Sequence, residues 1–279
     1  MKITESCKNC LLDKQKHLSE NKAYIRALEE LLEQRAPEDS APYMLYRFRE
    51  IQERFGVSEK SYGEIKKKYN DLVLEKEGSI RSLIESAEDP LRQALLCSRI
   101  GNYIDFGAMN EVDEETFLAL FSRTQTEERE RGVMESFFRQ CGRAESFLLI
   151  TDNCGEIVLD RLFLEQLRKT YPELKVTILV RGGEVLNDAT EEDARYVGLD
   201  QVGTLVNNGL PVAGTVYELL PKEIQELIDH TDVILAKGQG NYETLAQQGK
   251  HVFYSFLCKC DHFTDHFKVP KLTGMFIEE

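Results

Sequence analysis

From residue 146 onward the chain alternates in a way that few folds accept. Short apolar, β-rich runs (SFLLIT, KVTILV, QVGTLV, DVILAK and HVFYSF) are for the most part separated by helix-patterned stretches. Strand, helix, strand in repetition predicts a largely parallel sheet joined by crossover helices. TGMFIE predicts a last strand. Before this block the pattern is helical. In AYIRALEELLEQ the residues Ile25, Leu28, Leu31 and Leu32 recur at helical spacing. Asp89-Pro90 marks a helix start, an N-cap acid followed by a proline in the first turn. The change of pattern falls near Gly142. The expected architecture is therefore an all-helical region over 1–141 packed on a Rossmann-like α/β/α sandwich over 142–279.

Composition narrows the partners. Acids outnumber bases 49 to 35, for a formal net charge of -14. Such a surface repels nucleic-acid backbones and anionic membranes unless a basic patch intervenes, and the sequence offers none. The N-terminal stretch MKITESCKNCLLDKQKHLSE is polar and lacks the apolar core of a signal peptide. No segment approaches the roughly 18 apolar residues of a membrane span. Seven cysteines without an export signal are expected to be reduced thiols in a cytoplasmic protein.

Three loops at predicted strand ends carry chemistry. The first strand stops at Asp152-Asn153, and Glu156 opens the next helix. A dinucleotide fold would place G-x-G-x-x-G at this turn, but only Gly155 is present. A bare phosphate beside Asp152 would cost roughly 4 kcal/mol per charge pair at about 4 Å and an effective dielectric near 20. A divalent cation suits these hard oxygens, and once bound it would attract phosphate to the same corner. The second strand leads into RGGEVLNDATEED. There Thr190 and Asp193 have capping-box spacing, which leaves Asn187 and Asp188 free of capping. If the two strands are neighbours, about 4.8 Å apart, Asp188 can supply a second ligand near Asp152. The third loop follows Lys237, read here as lying at a sheet edge. Lys237, Gly238 and Gly240 could present an ammonium and bare amides to an anion, with Asn241 capping the next helix. Each loop alone has a plain reading as a turn or a cap.

Taken together, TDNCGEIVLD, RGGEVLNDATEEDA and AKGQGNYETL resemble the damage-control phosphatase family, long catalogued as a domain of unknown function. GNYIDFG and the tail CKCDHF resemble its bacterial and archaeal branch, which carries a CxxC motif. The resemblance runs from about Cys7 to the C-terminus. It implies a helical region joined to an α/β/α core, and a metal-dependent phosphomonoester hydrolase acting on sugar phosphates or damaged phosphometabolites. It implies metal ligation by Asp152, Asn153 and Asp188, and phosphate binding by Lys237 with Asn241 nearby. It also implies that Asn102 and Asp105 line the cleft. Cys154 departs from the small residue expected at its position and would leave a thiol near the metal.

On this reading one divalent ion (Mg²⁺, Mn²⁺, Co²⁺ or Ni²⁺) neutralises phosphoryl oxygens and lowers the pKa of bound water. Lys237 adds positive charge, and Glu156 or Asp160, four apart on one helix face, orients or deprotonates the attacking water. A covalent role for Asp152 is weakened because a D-x-D motif would need an acid where Cys154 stands. Cys7-x-x-Cys10 and Cys258-x-Cys260 offer four thiolates for zinc or a redox pair, without the full spacing of a zinc ribbon. Two other readings compete. One is a Rossmann-like nucleotide- or S-adenosylmethionine-binding protein, such as a methyltransferase, which calls for a glycine-rich first loop. The other is a non-enzymatic interaction protein, in which Asp152 and Asp188 point to different places.

Overall fold

The computed structural model describes residues 1–101, 121, 126–246 and 248–279. Among the described residues, six helices precede the first strand: α1 (Glu5–Lys16), α2 (Lys22–Glu33), α3 (Ala41–Phe55), α4 (Gly63–Glu85), α5 (Pro90–Ile100) and α6 (Glu128–Cys141). Then follow β1 (Ser146–Ile150), α7 (Glu156–Thr170), β2 (Lys175–Val180), α8 (Glu191–Tyr196), β3 (Thr204–Asn207), α9 (Lys222–His230), β4 (Val233–Lys237), α10 (Gln239–Leu245), β5 (Phe253–Leu257), α11 (Asp261–Phe267) and β6 (Gly274–Glu278). Asp89 caps α5 as its sequence predicts, its Oδ1 accepting from the Arg92 amide at 3.0 Å with Pro90 in the first turn. No helix among the described residues is long and apolar enough to cross a membrane.

The strands form one sheet in the order β3-β2-β1-β4-β5-β6. The first five run parallel, and β6 pairs antiparallel with β5. Sheet faces divide by residue parity. Phe147 and Leu149 of β1 enter one core with α4 to α7, and Leu148 and Ile150 enter another with α9, α10 and α11. Both faces are covered, which is why the strand reads as an unbroken apolar run. Phe137 of α6 binds the first core together. Its ring meets Phe147, Phe253 and Phe276 edge-on at centroid distances of 6.1, 5.0 and 5.5 Å. This core crosses residues 141–142 without interruption, so α4 to α6 pack directly on the α/β layers. The helices α1 to α3 have a smaller core of their own, built on Tyr24, Leu28, Leu32, Met44 and Phe48.

The register aligns the C-terminal ends of the central strands. Ile150 lies beside Leu179 of β2 on one side and Ala236 of β4 on the other. The chain winds outward from β1 in one direction through β2 and β3, and in the other through β4 and β5. The crevice at this reversal, outside the carboxyl ends of the strands, is where open α/β sheets bind ligands. Lys237 therefore ends an interior strand, which corrects its expected place at a sheet edge.

Candidate active site

The loops after β1 and β2 are zipped together by their backbones. The Thr151 amide donates to the Leu179 carbonyl at 3.0 Å, continuing the ladder past the last strand residue. Beyond it, Asn153 and Asp188 form an isolated antiparallel bridge. The Ala189 amide donates to the Asp152 carbonyl at 2.8 Å, and the Cys154 amide to the Asn187 carbonyl at 2.9 Å. The two acidic strand tips meet, as the neighbouring-strand expectation requires. The capping box is present too, with the Thr190 amide donating to Asp193 Oδ2 at 2.9 Å, so Asp188 is left out of capping. Asp152, Asn153 and Asp188 are 9%, 5% and 3% exposed. Asn153 Nδ2 donates to Asp152 Oδ2 at 2.8 Å, which commits the amide nitrogen and leaves its oxygen as a lone-pair donor.

Between the carboxylates lies Arg181, the first residue after β2, which the sequence reading passed over. Its Nε donates to Asp188 Oδ2 at 2.7 Å, and its Nη2 stands 3.9 Å from Asp152 Oδ1. Its Nη1 donates to the Gly214 carbonyl at 3.0 Å and to Asn241 Oδ1 at 3.1 Å. The signal in the sequence was an arginine directly after the strand, followed by Gly182-Gly183. A Cβ at Gly182 would come within 2.3 Å of the 209–210 backbone, so the glycine lets the β3–α9 loop close over the arginine.

Lys237 faces a different way from the one expected. Its ammonium is 2.7 Å from Glu156 Oε1 and 2.7 Å from Asp160 Oδ1, and donates to the Ser98 carbonyl of α5 at 3.1 Å. All three charged side chains are fully buried. Burial pushes the Glu156 carboxyl up to about 8, against the pull of Lys237, and raises Asp160 as well. The two acids hold the Lys237 ammonium above its ordinary value despite burial. Glu156 and Asp160 do share a helix face, but here that face grips Lys237.

Asn241 is not the cap of α10. It sits inside this seven-residue helix, whose first turn is preceded by Gly238, and it is fully buried. Its Nδ2 donates to the carbonyls of Thr151 and Lys237 at 3.0 and 2.6 Å, and its Oδ1 accepts from Arg181 and from the Thr215 hydroxyl. One amide thus ties β1, β4, Arg181 and the 213–215 loop together. Gly238, at φ +80°, packs against Asp152. The helical region closes the back of the site. Asn70 of α4 accepts from the Gly155 amide at 2.6 Å, and Lys66 pairs with Asp193 at 2.5 Å.

The remaining expectations divide. Asn102 and Asp105 lie outside the described residues. The Cys154 thiol lies among Asp193, Lys66 and Asn70, and burial pushes its pKa well above the ordinary thiol value. The four terminal cysteines do not gather into a zinc site. Among the described residues no three His, Cys, Asp or Glu side chains form a metal-binding cluster, and Cys7, Cys10, Cys258 and Cys260 are all free thiols. Cys10, on the first helix, is exposed, whereas Cys258, past the end of β5, is buried. The same fact bears on the divalent site, where two carboxylates need the Asn153 amide oxygen to reach three protein donors. That set fits a hard divalent ion. All three donors are oxygens, their loops are fixed by backbone bonds, and the missing Cβ of Gly238 makes room for the Asp152 carboxylate.

A family model described as "Damage-control phosphatase ARMT1-like domain" matches residues 2–273. A damage-control phosphatase of Archaeoglobus fulgidus is 29% identical over 274 residues, covering 94% of this chain and 93% of that protein. A damage-control phosphatase of Pyrococcus horikoshii is 34% identical over 176 residues, covering 62% of this chain and 59% of the relative's length. The crystal structure of a DUF89 family protein from Pyrococcus horikoshii superposes with a TM-score of 0.81 at 24% identity, covering 100% of this chain and 99% of that one.

Proposed function

The chain belongs to the damage-control phosphatase family, and on that premise we propose that it is a metal-dependent phosphatase of small phosphorylated metabolites, sugar phosphates or damaged phosphometabolites among them. The observation that carries this reading is the pairing of the two strand-end loops, Asn153 bridged to Asp188 and Ala189 bonded to Asp152. It brings three hard oxygen donors to the crevice where the strand order reverses.

In this reading Asp152, Asn153 and Asp188 hold one divalent ion. When bound, that ion supplies a Lewis acid for phosphoryl oxygens and an acidified water. The protein's own part is charge and position. Asp152, Asp188 and Arg181 together carry one net negative charge, so a dication makes the crevice attractive to an anion. Asn241 fixes Arg181 and the ends of β1 and β4, so the charged groups are oriented before substrate arrives. The buried ion triad of Lys237, Glu156 and Asp160 braces β4, α7 and α5 beside the site.

The test is phosphate release across a panel of phosphometabolites by chelator-treated protein, alone and with Mg²⁺, Mn²⁺, Co²⁺ or Ni²⁺. Release that needs an added ion is the expected result. Equal release with chelator and with ion, or none from any substrate with any ion, rejects the reading.

A further inference from the structure

Lys237 was the cation expected to bind the phosphate, and its ammonium is committed to Glu156, Asp160 and the Ser98 carbonyl. The crevice contains a second buried cation on its Asp152–Asp188 side. Arg181 is 1% exposed, and its guanidinium is a planar cation with a rigid fork of donors. Three of its directions are fixed, Nε by Asp188 and Nη1 by Gly214 and Asn241, with the Thr215 hydroxyl at 3.4 Å. Its Nη2 is different. That nitrogen is buried, has no hydrogen-bond partner among the described residues, and lies on the Asp152 side at 3.9 Å from Oδ1.

We propose that Arg181 is the phosphoryl-binding residue of this site, its Nη2 donating to a phosphate oxygen of the substrate and of the product orthophosphate. The assignment rests on the phosphatase reading above and replaces Lys237 in it. A buried guanidinium nitrogen without an acceptor is an uncommon arrangement, and an anion entering the crevice supplies the acceptor. The planar fork explains why arginine serves here. Nε must hold a ligand carboxylate, Nη1 must hold the 213–215 loop, and Nη2 must remain for the ligand, three directions that an ammonium on a flexible stem cannot fix together. The charge count agrees. The two carboxylates and Arg181 sum to one negative charge, and a divalent ion turns this to one positive charge, attractive to a phosphate oxyanion. Arg181 also pairs with Asp188, so it draws metal ligand and phosphate together through one rigid group.

The experiment is a titration of Mg²⁺-loaded protein with orthophosphate, read as the rise in thermal midpoint. Arg181→Gln and Arg181→Lys are expected to need at least about tenfold more orthophosphate for half the rise, while Mg²⁺ alone still raises the midpoint of each. Half-saturation within twofold of wild type in both variants overturns the assignment. So does a loss confined to Lys237→Met. In the wild-type protein the Arg181 guanidinium ¹⁵N resonance is expected to shift when orthophosphate is added with Mg²⁺. An unmoved resonance at saturating orthophosphate overturns the assignment even if the variants fail to fold. Orthophosphate that gives wild type no protection with any of the four ions overturns both this assignment and the phosphatase reading, whereas equal protection of wild type and variants overturns this assignment alone.

Discussion

The Asp152 carboxylate fills the space that a Cβ at position 238 would need, so Gly238 makes room for it. A Cβ built on Gly238 would stand 2.0 Å from Asp152 Oδ2 and 2.1 Å from its Cγ, and Gly238 holds φ at +80°. The glycine after β4 is therefore part of the metal-ligand geometry at the end of β1, although 86 residues separate the two in sequence.

Gly238→Ala tests this directly. The methyl must displace the Asp152 carboxylate, and the backbone is strained at positive φ, which costs of order 1–3 kcal/mol. The variant is expected to unfold at lower urea and to lose at least roughly tenfold in metal-dependent phosphate release, which corresponds to about 1.4 kcal/mol of lost transition-state stabilisation. Wild-type activity at unchanged ion affinity would show that Asp152 has no fixed position to lose.

Asp188→Asn separates ligand charge from packing. Alanine here would also leave Arg181 without its 2.7 Å partner, and breaking a buried pair costs roughly 3–5 kcal/mol. Asparagine keeps an oxygen that can accept from Nε while removing the negative charge offered to the ion. Phosphate release is expected to fall by roughly 100-fold, about 3 kcal/mol, and the thermal upshift with Mn²⁺ to disappear. The folded circular dichroism spectrum should remain. Full activity in a folded Asp188→Asn protein would remove this residue from the site.

The buried triad predicts a pH dependence of stability. The Glu156 carboxyl lies at about 8 in the folded chain against an ordinary 4.5, so between those values the native state keeps a proton that the unfolded chain releases. Stability then falls as pH rises through that window. The raised pKa of Lys237 acts only at higher pH, since its contribution is fully present below the ordinary lysine value of 10.5. With chelator present, the urea midpoint is expected to decline from about pH 5 to about pH 8, and Glu156→Gln to flatten that decline. An identical slope in both proteins would assign the pH dependence to other groups.

The sheet was legible because hydrophobic period and turn chemistry are local properties. SFLLIT, KVTILV and DVILAK could each be recognised as covered strands, and the acids at 152 and 188 could be placed at their tips without knowing the neighbours. The capping box at Thr190 and Asp193 was equally local, and it freed Asp188 for other work. The motif resemblance was legible for the same reason, since each of its pieces is a short continuous stretch.

What the sequence alone determined was therefore which residues stand at the strand ends, and hence that hard oxygens gather where the chain turns back. What tertiary structure decided was the partner of each charge. Lys237 turned to Glu156 and Asp160 because β4 is an interior strand packed beside α7. Arg181 came between the carboxylates because β2 lies next to β1 and the 213–215 loop closes over it. Asn241 became a bridge between strand ends instead of a cap. Period and capping are set by neighbours along the chain, whereas a buried charge is placed by whatever opposite charge the packing of distant segments brings within a few ångströms.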